Sequence, residues 1–120
     1  MANNVEITIL LDFYGEMLTQ KQHDFLNLYY NEDLSLSEIG ENEGITRQGV
    51  RDAIKRAESQ LYEMETKLGF VKKWNDIADT LGDIIACSDE INEYNLNHGL
   101  SREINDTTVK IKSLALSITE

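Results

Sequence analysis

Proline is absent from all 120 residues, so nothing interrupts long helices and rigid proline-rich linkers are excluded. Cysteine occurs once, at Cys87. No intramolecular disulfide can form, no CxxC or Cys/His cluster offers metal-ligand spacing, and a reducing compartment is expected, with Cys87 read as a packing residue. Histidine is scarce too: His23 and His98 stand far apart with no Cys or second His beside them, so they read as surface histidines rather than metal ligands. The N-terminus lacks the basic region and apolar run of a signal peptide, and no apolar stretch approaches the roughly 20 residues that span a bilayer. The expectation is a cytoplasmic protein without membrane insertion.

Catalytic signatures are missing as well. No GxxxxGK[ST] loop is present, so the chain is not itself a GTPase, and no nucleophile stands in a pattern with a base and an orienting partner. The carboxylates Asp76, Asp79 and Asp83, and again Asp89, Glu90 and Glu93, recur at helical steps beside an apolar face, as on a solvated helix surface. The chain therefore reads as a non-enzyme that needs no cofactor.

Positive charge is limited to 11 Lys and Arg against 22 Asp and Glu, a net charge of −11. Taken whole, such a field repels phosphate, but its distribution is uneven. Residues 1–44 carry one Lys and nine acidic groups (1 − 9 = −8), residues 45–73 seven basic and four acidic (7 − 4 = +3), and residues 74–120 three basic and nine acidic (3 − 9 = −6).

What the chain does have is helical periodicity, over 41% hydrophobic residues. Ile7, Leu10, Leu11, Tyr14, Met17 and Leu18 fall on one face of an opening helix, although the β-branched Ile7-Thr8-Ile9 also suits a strand. Thr19 and Gln22 form one capping box and Ser35 and Glu38 another, opening helices at about 20 and 36. The first should present Phe25, Leu26, Leu28, Tyr29 and Tyr30 and end at Asn31-Glu32-Asp33. Gly44 should end the second in a left-handed conformation. Thr46 then caps a long helix with Val50, Ala53, Ile54, Ala57, Leu61, Met64 and Leu68 on its apolar side, closed by Gly69. Beyond it, Val71, Trp74, Ile77, Ala78, Leu81, Ile84 and Ile85 share a face up to a break expected near Ser88. A last helix over 101–118, capped by Ser101, should turn Ile104, Thr108, Ile111, Leu114, Ala115 and Ile118 inward.

The stretch LSEIGENEGITRQGVRDAIKR, residues 36–56, has what a helix-turn-helix needs. Ile39 fills the small core between two helices, Gly40 lets them approach, Gly44 makes the turn and Val50 packs back. In such a unit the second helix enters the major groove with its N-terminal residues towards the bases. Arg47 and Arg51 lie one turn apart and reach guanine edges or phosphates, Gln48 suits adenine, and Lys55 and Arg56 fall where backbone contacts are made. Thr46 can hold a phosphate at the helix N-terminus. The alternative is a solvated face whose cations pair with Asp52 or Glu58, in a unit that binds protein.

The run YGEMLTQKQHDFLNLYYNEDLSLSEIGENEGITRQGVRDAIKRAESQLYEMETKLGF, residues 14–70, closely resembles the YlxM family of bacterial helix-turn-helix proteins. Its helix-turn-helix is also similar to region four of the bacterial sigma factors. Gln48 and Gly49 stand where those often carry glutamate and arginine, and a glycine inside a helix costs about 1 kcal/mol against alanine. The YlxM resemblance implies genes beside those of the signal recognition particle protein Ffh and its receptor FtsY, and a regulatory role in that secretion pathway.

Together these readings give an all-α helical bundle containing a helix-turn-helix, winged-helix-like or sigma-region-four-like, with a C-terminal helical extension. The helix-turn-helix domain is set at 1–70, with its recognition helix over about 46–68, and the extension at 71–120, for packing or dimerisation. The expected role is regulation in the signal recognition particle pathway, through contact with the particle's RNA, its protein or both. The cationic surface would comprise Arg47, Arg51, Lys55, Arg56, Lys72 and Lys73. A DNA-binding transcriptional regulator is the alternative, and self-association as a homodimer is expected from the apolar stripes, with Tyr62 and Trp74 as interface aromatics.

Overall fold

The computed structural model describes residues 4–119, and every regular element among them is helical: α1 (Asn4–Tyr14), α2 (Gln20–Leu26), α3 (Leu36–Glu43), α4 (Arg47–Leu68), α5 (Phe70–Asn97) and α6 (Arg102–Thr119). No strand follows α4 among the described residues, so the unit has no wing. The residues divide into two compact units, Met1–Val71 and Lys72–Glu120.

In the first unit, α4 touches α1, α2 and α3, and its buried stripe Val50, Ile54, Ala57 and Leu61 closes one core with Ile7, Leu10, Leu11, Tyr14, Phe25, Leu26 and Ile39. Burial settles α1 as a helix despite its β-branched residues. Met17 departs from the expected face and is exposed. The chain leaves the α-helix after Tyr14 for a tighter 3₁₀ turn, Gly15–Met17, which advances each side chain further round the axis. His23, taken for a surface residue, is half-buried. The second helix is α-helical only to Leu26 and then widens into a π-turn, Asn27–Asn31, where the Glu32 N–H donates to the Asn27 carbonyl at 3.1 Å.

Both capping boxes form. The Thr19 hydroxyl accepts from the Gln22 N–H at 3.2 Å, while Gln22 Oε1 accepts from the Thr19 N–H at 3.1 Å. Ser35 and Glu38 make the same pair of bonds, both 3.1 Å.

Tyrosine–carboxylate hydrogen bonds tie α4 to the helices around it. Tyr30 donates to Glu58, both buried, and Glu6 is a neighbouring carboxylate of the Tyr62 hydroxyl. Tyr14 donates to Glu65 Oε1 at 2.5 Å and accepts from the Phe70 N–H at 3.1 Å. Glu65 also accepts from the Val71 N–H at 3.0 Å, so it satisfies a first-turn donor of α5 just past Gly69, which sits at φ +66°.

Burial first, and the neighbouring carboxylate second, raise the pKa of Tyr14, Tyr30 and Tyr62 above the ordinary tyrosine value. A folded-state pKa above the unfolded one means these groups contribute stability in full below about pH 10, and lose it as pH rises through the folded values. The urea midpoint should therefore hold steady from pH 8 to about 9.5 and fall above 10. Tyr30→Phe should flatten part of that fall, and a midpoint independent of pH up to 11.5 would show that the hydroxyls carry no such linkage.

The second unit is a two-helix hairpin. No break occurs near Ser88: α5 runs unbroken to Asn97, because the Ser88 hydroxyl donates to the Thr108 carbonyl of α6 at 2.8 Å and is buried by it. The Asn95 carboxamide closes the turn, donating to the Ser101 carbonyl at 2.8 Å and accepting from its N–H at 2.7 Å. Of the residues expected to face inward, only Leu81, Thr108 and Ala115 are buried in the hairpin, while Trp74, Ile77, Ile84, Ile104, Leu114 and Ile118 remain exposed. Cys87, read as packing, is exposed as well.

Candidate nucleic-acid interface

The helix-turn-helix is built by close approach of α3 to the start of α4. A Cβ placed on Gly40 would lie 2.7 Å from the Ile45 carbonyl oxygen, a backbone atom that cannot swing aside. Gly44 ends α3 at φ +71°, its N–H bonded to the Gly40 carbonyl, and Ile39 and Val50 are fully buried between the helices. A helical glycine replaced by alanine ordinarily gains about 1 kcal/mol. Gly40→Ala should instead lose about 1–3 kcal/mol in chemical denaturation, because the turn must shift to admit the methyl group; a gain would mean that the two helices do not approach as described.

Thr46 caps α4, its hydroxyl oxygen accepting from the Gly49 N–H at 3.0 Å. Its own proton stays available to a phosphate, and the Arg47 and Gln48 N–H groups, at the helix start, have no helix carbonyl to bond. A Cβ on Gly49 would stand 3.1 Å from the Thr46 hydroxyl, a close contact beside the cap.

Arg47, Arg51, Lys55 and Arg56 are all exposed on α4. Neither pairing expected of an idle surface forms. Glu58 is turned inward to Tyr30, and Asp52 accepts from the Gln48 carboxamide at 3.0 Å. Among the described residues, no ion pair within 4.0 Å engages any of these four cations. Gln48 differs from them, since Asp52 holds its amide and any base contact must compete with that bond. Lys72 and Lys73 belong to the second unit, and the helix-turn-helix itself contributes the other four.

No group of three or more His, Cys, Asp or Glu suited to a metal ion exists among the described residues, and no helix there is long and apolar enough to cross a membrane. His98 stacks on Tyr94 with ring centroids 3.9 Å apart. Tyr62 packs against the core of the first unit rather than standing free as an interface aromatic.

Residues 1–100 match the profile of UPF0122, the YlxM/p13-like helix-turn-helix proteins. A UPF0122 protein of Desulforamulus reducens is 42% identical over 97 residues, covering 81% of this chain and 83% of the relative. One from Thermoanaerobacter sp. is 41% identical over 110 residues, covering 92% and 94%. One from Acetivibrio thermocellus is 54% identical over 69 residues, covering 58% and 59%. The likeness thus extends past residues 14–70 and takes in all of α5.

Proposed function

The chain belongs to the UPF0122 family of YlxM/p13-like helix-turn-helix proteins, and from that premise we propose that it is a regulatory protein that binds nucleic acid through the first three turns of α4. One observation carries the reading. Four exposed cations, Arg47, Arg51, Lys55 and Arg56, project from the start of a helix presented by a helix-turn-helix, and no carboxylate of the described residues neutralises them. Ordinary solvated faces pair such groups at steps of three or four. Here both neighbouring acids are engaged elsewhere, which leaves the cations for phosphate and base edges.

The target we assign is the signal recognition particle, through its RNA, its protein Ffh, or both. The YlxM resemblance supports the pathway, and the charge pattern supports the division of labour: the cations of α4 would meet RNA phosphate, and the acidic segments basic protein surface. A second reading, a transcriptional regulator acting on duplex DNA, draws on the helix-turn-helix itself. The B-DNA major groove admits an α-helix, whereas the deep, narrow groove of A-form RNA does not.

The test is a titration of labelled particle RNA and of duplex DNA, with and without Ffh, at several salt concentrations. The first reading predicts tighter binding to the particle RNA, tolerant of sequence changes that preserve its shape. The second predicts one preferred duplex, each mismatch costing about 1–3 kcal/mol. Absence of binding to either nucleic acid would refute the role given to α4 in both readings, and absence of binding to Ffh as well would refute the first reading entirely.

A further inference from the structure

The hairpin of α5 and α6 is put together from layers seven residues apart. Asn95 meets Ser101, Ser88 meets Thr108, and in the same register Leu81 lies level with Ala115. This seam is small and polar, and Leu81 and Ala115 are its only buried apolar residues among those described. A hairpin of this size has no core of its own.

The apolar side chains stand beside the seam. Ile77, Ile84 and Ile91 recur every seven residues on α5, as do Ile104, Ile111 and Ile118 on α6, and the register sets the two series level in three layers. Ile84, Ile91 and Ile111 line one surface groove, and Ile91 and Ile104 line the next. Five of the six are between 36% and 52% exposed, and Ile111 is half-buried. A seven-residue repeat keeps its apolar stripe in line only when helices supercoil around a partner.

We propose that this six-isoleucine flank is the interface with a second copy of the same chain, forming a four-helix bundle from two hairpins. Charge bears on the orientation, and one pair is already closed within the hairpin, Lys112 on Asp89 at 3.4 Å. Helix α5 carries two basic and six acidic residues (2 − 6 = −4), while α6 carries three basic and two acidic (3 − 2 = +1). A second hairpin laid on the flank with its α6 against the first α5 brings unlike helices together twice, by symmetry, and separates the two acidic ones. Such a self-complementary surface is what a two-fold dimer requires. The proposal is independent of the ligand bound by α4.

Light scattering from the full-length chain, read across a concentration series, tests it. The expected mass is twice 13.7 kDa. The pair Ile84→Ala and Ile111→Ala should weaken dimerisation roughly tenfold or more without adding charge. Ile84→Asp with Ile111→Asp should give a single-chain mass, with the first unit still folded by circular dichroism. Val109→Asp, an exposed α6 position away from the isoleucine repeat, should leave the dimer intact. A single-chain mass for the unaltered protein at every concentration overturns the proposal, as does a dimer that resists both isoleucine pairs.

Discussion

Ile54→Ala is expected to lower the stability of the first unit by about 2–5 kcal/mol, the range for removing a buried branched side chain and leaving a cavity. Ile54 is fully buried on α4, within the core that α1, α2 and α3 share with that helix. No single neighbour can collapse into the space, because the surrounding helices are pinned from several directions: Tyr30 on Glu58, Tyr14 on Glu65, and α3 on the Gly40 contact. Ile54→Val should cost only about 0.5–1.5 kcal/mol, which grades the effect by volume. Equal losses for the two variants, followed by urea denaturation of the first unit, would mean that the site responds to something other than packing.

Arg47→Ala with Arg51→Ala has the largest expected effect on binding. If both guanidinium groups contact the nucleic acid, affinity should fall roughly 30-fold or more, at about 1–3 kcal/mol for each contact to a base edge. If they meet only phosphate, the slope of log affinity against log salt should become shallower by about two, one unit per arginine. Stability should stay within about 0.5 kcal/mol, because both side chains are exposed and hold no ion pair among the described residues. Lost binding with unchanged folding separates a contact role from a structural one. Unchanged affinity would leave the positive face idle.

Much of the fold was legible because the signals are local. Thr19 with Gln22, and Ser35 with Glu38, satisfy donors within one turn, and Gly44 and Gly69 adopt the left-handed conformation that ends a helix. Gly40 and Val50 were equally readable, since the helix-turn-helix fixes their spacing. The errors fall where the partner is distant in sequence. Ser88 resembles a break until the Thr108 carbonyl, 20 residues away, takes its proton. Glu58 resembles a surface partner for the α4 cations until the Tyr30 hydroxyl, 28 residues back, turns it inward. That second contact matters most for the candidate site, because it takes away the carboxylate one turn beyond Lys55, and nothing in the local pattern announces it. The inward turn expected of Ile104 and Ile118 fails for a related reason: periodicity identifies an apolar stripe without saying what covers it.

The proposed function rests on residues 46–56 as the surface that meets nucleic acid. An amide NMR titration of the isotope-labelled chain with particle RNA, and in parallel with duplex DNA, tests it most directly. Whichever ligand binds, the shifts should concentrate at Thr46, Arg47, Arg51, Lys55 and Arg56 and at the neighbouring turn around Gly44. Shifts confined to α5 and α6, or none with either ligand, would contradict it.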